Sequence, residues 1–223
     1  MELETSEEYP PGYFEHRLLN DPRRMKSFEH ELEWMGEFVN TFLSICDVGC
    51  STGEFLQFIN WRGPRFGVEP VEFAATQARG FGIDIVDSVQ DLTDLVDVFV
   101  LRGVIQHLPD PFRDIRAMYS KLRKGGYLIF LATPDAGSPY YRIFQDLPAV
   151  DLERNYWLPS HKQLVSICRR AGFTHVASEW PYRKSGYSQR SDLLKFLARA
   201  ITREKRFQGA FPGNMMNVAF RRP

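Results

Sequence analysis

Asp47-Val48-Gly49-Cys50-Ser51-Thr52-Gly53-Glu54-Phe55 is the stretch that decides the fold of this chain. The apolar run Phe42-Leu43-Ser44-Ile45-Cys46 before it reads as a buried strand, and Phe55-Leu56-Gln57-Phe58-Ile59 at its end reads as the start of a helix. A strand that ends in a tight glycine-containing turn and opens a helix is a nucleotide-binding device. Glycine permits the sharp turn and lets a ligand approach closely. Gly67-Val68-Glu69-Pro70 closes the next strand, its acid 22 positions after Asp47. A carboxylate at that place has two oxygens with which to accept hydrogen bonds from ribose hydroxyls.

The spacing of the glycines separates ligand classes. Pyrophosphate loops want G-x-G-x-x-G, and triphosphate loops want G-x-x-x-x-G-K-[ST]. Here the pattern is Asp-x-Gly-x-Ser-x-Gly with no lysine in the turn. Asp47 would repel a phosphate and suits a ligand with a cationic amino group. Around this loop the chain alternates. Strands are expected near 42–48, 65–69, 83–86, 96–101 and 126–132, and helices near 53–60, 71–79 and 112–123. Alternation of this kind makes an α/β fold, a mostly parallel sheet with helices on both faces. Ser160 is a candidate N-cap for a helix running to Arg170. Thr174 to Glu179 and Met215 to Arg221 read as two further strands. Arg24 to Val39 has helical spacing of Met25, Phe28, Leu32, Met35 and Phe38.

The loop resembles the first motif of the class I S-adenosylmethionine-dependent methyltransferases, whose usual form is Asp-Val-Gly-Cys-Gly-Thr-Gly. Ser51 stands at the middle glycine, where a serine needs a compatible φ. Three later segments carry the resemblance toward a small-molecule subfamily that includes ubiquinone-type and sugar O-methyltransferases. They are Gln106-His107-Leu108-Pro109-Asp110-Pro111, then Arg123-Lys124-Gly125-Gly126 before a strand, then His161 before a helix ending Ala171-Gly172-Phe173. The resemblance implies a Rossmann-like, doubly wound, seven-stranded sheet whose last strand is antiparallel. It also implies S-adenosylmethionine as cofactor and methyl transfer to a small-molecule acceptor, with a hydroxyl as the expected target. An N-terminal arm, residues 1–40, would lie over the cofactor of a domain spanning 41–223. Residues 133–159, with four prolines and five aromatics, and residues 181–210 would be lids or substrate insertions.

Site roles follow from the resemblance. Asp47 would hold the loop and meet the cofactor's amino end, with Gly49, Cys50, Ser51 and Gly53 around the methionine part. Glu69 would take the ribose. Pro70 with Val71 would line the adenine pocket, and Asp87, Ser88 and Val89 would meet the adenine edge. Leu101, Arg102 and Gly103 end the fourth strand, where ligands bind in open α/β sheets. A hydroxyl acceptor gains from a general base, and neutral imidazole suits proton removal near pH 7. His107 is the first candidate and His161 the second. His16, His30 and His175 read as structural.

Composition bounds the partners. The 223 residues carry no net charge, no apolar stretch long enough to span a membrane and no signal peptide. Three cysteines form no disulfide framework, which fits a cytoplasmic protein. No Asn/Asp-Pro-Pro-aromatic follows the fourth strand, so a nucleic-acid base is not the expected acceptor. No carboxylate pair is spaced for a metal, and none is expected. From Pro181 to Pro223 there are ten Lys or Arg against two Asp or Glu, a local charge of +8. Lys195, Arg199 and Arg203 would share one helix face and form a cationic rim for an anionic acceptor, while Leu194, Leu197 and Ile201 would pack on the core. Two other readings stand beside the small-molecule enzyme: a cofactor-binding module without activity, and an enzyme acting on RNA or protein through this basic region.

Overall fold

The computed structural model describes residues 21–145, 147, 154–202 and 211–223. Strands β1 (Ile45–Val48), β2 (Arg65–Val68), β3 (Asp84–Val86), β4 (Val96–Arg102), β5 (Leu122–Pro134), β6 (Thr174–Glu179) and β7 (Met215–Arg221) form one sheet in the order β3-β2-β1-β4-β5-β7-β6. β1 to β5 run parallel, and β7 runs antiparallel between β5 and β6. This is the Rossmann-like, seven-stranded arrangement expected. The helices among the described residues are α1 (Pro22–Met35), α2 (Glu54–Phe58), α3 (Glu72–Gly80), α4 (Pro111–Lys121), α5 (Pro139–Phe144), α6 (His161–Arg170) and α7 (Asp192–Thr202).

Strand alternation sends the core to both faces of the sheet. In β4, Val96, Phe99 and Leu101 pack with Ile115 and Met118 of α4 and Leu164, Ile167 and Cys168 of α6. Val98 and Val100 pack on the other face with Phe55 and Leu56 of α2 and Ala78 of α3. α1 belongs to this second core. Its Phe28, Trp34 and Met35 are buried there, so the arm from Pro22 onward is part of the domain's packing and not an appendage.

Local chemistry explains the ends. Asp21 caps α1, Asp110 caps α4 and Ser138 caps α5, each followed by proline in the first turn. Ser160 caps α6 in a reciprocal capping box with Gln163. β1 begins at Ile45 rather than Phe42, because residues 41–43 form a turn. Thr41 O accepts from Arg62 N and Gly63 N, Leu43 O accepts from Trp61 Nε1, and Phe42 is left exposed. Ser138-Pro139 is a helix start inside the segment expected to be a lid, and α5 follows from it.

The C-terminal helix inverts the expected amphipathic assignment. Arg199 is buried, while Leu193, Leu194, Leu197 and Ile201 face outward. Arg199 Nη1 donates to Tyr140 Oη at 2.7 Å, and its guanidinium lies 4.7 Å from the Phe144 ring centroid. Cation–π contact with a dry aromatic wall compensates the loss of water. Arg199 therefore takes no part in a cationic rim, and Lys195 stays at the surface. Arg203 lies outside the described residues, as do His16 and parts of 1–40, 133–159 and 181–210.

Gly53 sets how closely the loop approaches α3 and the residue ahead of β3. Its φ is +78°, and a Cβ there would lie 2.6 Å from Ile83 Cδ1 and 3.2 Å from Ala78 Cα. Gly53→Ala is expected to lower unfolding free energy by about 1–3 kcal/mol. Urea denaturation of the two proteins checks it.

Candidate active site

The C-terminal ends of β1, β2 and β4 converge on the loop 49–53. Gly49 N and Cys50 N donate to Val68 O at 2.8 and 3.2 Å, which stitches the loop to β2. Glu69 completes the stitch. Its Oε2 accepts from Ser51 N at 2.9 Å and its Oε1 from Val71 N at 3.0 Å. Ser51 sits at φ 53°, the left-handed region, where a non-glycine residue costs roughly 1–2 kcal/mol. The buried, charge-assisted bond to Glu69 holds it there.

Three polar atoms in this loop and at the end of β1 are buried without hydrogen bonds: Asp47 Oδ1, Ser51 Oγ and Thr52 Oγ1. Each orphaned group costs about 1–3 kcal/mol. A ligand with amino and carboxylate groups would satisfy them, so the loop fits the amino-acid end of S-adenosylmethionine. The surrounding charge agrees. Arg102 Nε donates to Glu31 Oε2 at 2.7 Å, and Arg24 pairs with Glu54 at 3.0 Å. Asp47 lies beyond those two pairs. Burial pushes Asp47 up to about 8, with Glu69 and Glu31 adding to the rise and Arg102 offsetting part of it. A cationic ligand reverses this penalty.

The other expected cofactor residues divide by where they face. Gly49 has φ +72°, and a Cβ would meet Val104 at 2.7 Å, so glycine is required there by the backbone conformation and by packing against the loop after β4. Cys50 turns inward: its Sγ would lie 2.6 Å from a Cβ on Gly67, and burial raises its thiol far above the ordinary range. Leu101 and Val89 are core residues, leaving only their backbones for a ligand. Pro70 and Asp87 are exposed, and Ser88 Oγ donates to Asp91 Oδ2 at 2.5 Å. Arg102 points toward α1, where it lies 4.5 Å over the Phe28 ring as well as on Glu31. The carboxylate its Nε holds is the chain's own Glu31. Gly103 has φ +62°, beside Arg102.

The two candidate bases are not brought together. His107 Nδ1 donates to Arg154 O at 3.0 Å, and its Nε2 accepts from Gln106 Nε2 at 3.2 Å. Both ring nitrogens are occupied. Gln106 O also accepts from Tyr156 N at 2.9 Å, so this pair anchors the segment after residue 153. His161 Nε2 lies 2.8 Å from Ser178 Oγ on β6, three strands from β4 in the sheet order and roughly 14 Å away.

Sequence reasoning missed Glu31, Arg24, Phe28, Thr52 and Tyr187. Gly186 packs so closely on α1 that a Cβ would lie 2.0 Å from Arg23 O, and it brings Tyr187 near Arg102 and Glu31. The signal for Glu31 was present: it shares the stripe of Phe28 and Met35, where an acid must be paired.

Comparison with known proteins agrees with this geometry. The fold and the loop define a class I methyltransferase that uses S-adenosylmethionine. The pattern of the family described as "Methyltransferase domain" matches residues 14–178, and the chain belongs to that family. The solved structure of a "SAM-dependent methyltransferase, possible histamine N-methyltransferase" from Thermotoga maritima superposes with TM-score 0.64, covering 95% of this chain and 99% of that one at 21% identity. Magnesium protoporphyrin IX methyltransferase from Synechocystis, solved with bound S-adenosylhomocysteine, gives 0.62 with 94% and 93% covered at 13% identity. A tRNA U34 carboxymethyltransferase of Desulfotalea psychrophila is 29% identical over 145 residues, 59% of this chain and 45% of that protein. A carboxy-S-adenosyl-L-methionine synthase of Campylobacter jejuni is 32% identical over 124 residues, 48% and 53%. The chain spans about half the length of these last two relatives.

Two outcomes test the site. Ser51→Gly removes both the left-handed strain and an orphaned hydroxyl, and should raise stability of the ligand-free protein by about 1 kcal/mol after the entropy of glycine is subtracted. A lower melting temperature would contradict the strain. Asp47 has a folded pKa raised above its unfolded value of about 3.9. Its contribution is complete below that value and is lost as pH rises toward about 8. Stability of the ligand-free protein should fall over that window by up to about 1.4 kcal/mol per pH unit, and Asp47→Asn should flatten the slope. Urea denaturation across the pH range reads both.

Proposed function

We propose that this enzyme methylates a hydroxyl of a small acceptor. The observation that carries the reading is the cover beside the loop: α1 and Gly186-Tyr187 lie closely together at Arg102, tied by Arg102–Glu31 and by Gly186 N donating to Ser27 Oγ at 3.3 Å. A covered site suits a compact substrate and excludes water. Bound S-adenosylmethionine supplies an activated methyl group on a sulfonium, so the chemistry asks the protein chiefly for alignment. In this proposal Asp47, Ser51 and Thr52 hold the amino-acid end. Glu69 takes the ribose hydroxyls, a role that suits a carboxylate with two acceptor oxygens. Pro70 and Asp87 stand at the adenine side. Gln106 and His107 position the segment that closes the acceptor side. His107 acts as a positioning residue here, because both nitrogens of its ring are engaged.

A second reading takes tRNA as the acceptor. The name of the Desulfotalea relative favours it and weighs against the expectation that the acceptor is not a nucleic-acid base. Transfer of label from S-adenosyl-[methyl-³H]methionine separates the two. Incubation with a small-molecule extract and, separately, with total tRNA should label the extract alone. Label in the tRNA with none in the extract would replace the proposal with the second reading. Glu69→Ala should abolish labelling of either pool. Because Glu69 also holds Ser51 and Val71, the same change should lower stability of the ligand-free protein by about 1–3 kcal/mol.

A further inference from the structure

α7 carries an arrangement that methyl transfer does not explain. Leu193, Leu194, Leu197 and Ile201 are 62, 70, 49 and 82% exposed on a single helix of 11 residues. Ile143 is 63% exposed on α5, which packs against α7 through Phe144 and Phe196 at 5.3 Å. A helix in water would normally turn such a stripe toward the core. This one is held the other way by contacts at both ends. Asp192 Oδ2 accepts from Tyr182 Oη at 2.9 Å and from Gln189 N at 2.7 Å. Arg199 is locked onto Tyr140 and Phe144, and Phe196 stacks on Phe211 at 4.6 Å between them. The outward aliphatic face is therefore built into the packing.

Charge says what it meets. In residues 138–145 and 181–202, Arg142 beside Ile143, Arg190 just ahead of the helix, and Arg183 and Lys184 are exposed, Lys195 is tied to Gln189 and Asp192, and Asp192, the acid there among the described residues, is buried. A second copy would set these cations against themselves. The stripe also offers roughly 400 Å², taken as about 100 Å² per side chain, against the about 800 Å² per partner of a stable interface. RNA would suit the cations but takes aromatic platforms rather than leucines. An apolar stripe flanked by Lys and Arg is the pattern of a helix lying in the interface of an anionic bilayer.

We infer that α7, with Ile143 of α5 beside it, docks the protein onto an anionic lipid surface. No helix among the described residues is long and apolar enough to cross a membrane, so the contact is peripheral. The stripe enters the headgroup boundary and the flanking cations pair with lipid charge. The surface is independent of what the enzyme methylates.

Flotation of the full chain with vesicles tests it, compared with the double variant Leu194→Lys/Ile201→Lys. The variant keeps and increases positive charge while removing apolar contact, and both positions are exposed, so folding should hold; a thermal melt by circular dichroism verifies that. The parent should float with vesicles of phosphatidylcholine and phosphatidylglycerol, and not with phosphatidylcholine alone. The variant's vesicle-bound fraction should partition at least about tenfold more weakly. Failure of the parent to float with either vesicle overturns the inference, as does equal flotation of the folded variant. Binding to total tRNA that the variant strengthens, with no flotation of the parent, would assign the surface to RNA instead.

Discussion

Glu69 is the group on which the rest of the site depends. Its two oxygens reach in opposite directions, to Ser51 N in the turn after β1 and to Val71 N ahead of α3. With Val68 O taking Gly49 N and Cys50 N, the end of β2 holds the whole turn. The turn can then tolerate a serine in the left-handed region and keep Asp47, Ser51 and Thr52 buried with polar atoms to spare. Strain and unsatisfied polarity of this kind persist only where neighbouring structure over-determines them, and they concentrate where a ligand will bind.

The second constraint is the pairing of α1 with the sheet. Arg102 leaves the end of β4 and meets Glu31, stacks on Phe28, and so brings an N-terminal helix over the loop. A buried ion pair is weak evidence for stability but a strict condition on geometry, because separating it strands two charges. His30 extends the tie, lying 2.9 Å from Glu179 at the end of β6, and Glu179 accepts from Asn217 Nδ2 at 2.7 Å. Asn217 Oδ1 in turn accepts from Ala132 N on β5. The roof is thus wired to four strands, β4 through Arg102 and β6, β7 and β5 through His30, and closure beside the loop 49–53 is a property of the folded domain.

Much of the fold was legible because it rests on local signals. Apolar runs marked each strand, although β5 starts at Leu122 and not near 126, and Ser160 marked a helix start. What was not legible required knowledge of partners distant in sequence. Arg199 looked like a surface cation because its charge is visible in the chain, whereas Tyr140 and Phe144, which make it a core residue, lie more than fifty positions away. His107 looked like a base because of its place after β4. Only the fold shows that Gln106 and the backbone of Arg154 occupy both nitrogens. Gly49 and Gly53 stood out for their turn, but the side chains that press on them, Val104 and Ile83, lie far along the chain. Glu31 stood on an apolar stripe, a sign that it needed a partner.

The central claim is that the turn 49–53, clamped by Glu69 and roofed by α1, holds S-adenosylmethionine. Hydrogen–deuterium exchange with and without S-adenosylhomocysteine reads it directly, peptide by peptide. The account predicts slowed exchange in the peptides that cover 47–53 and 69–71 and in α1, with β6 and α6 unchanged. Protection that appears elsewhere and spares 47–53 would contradict it.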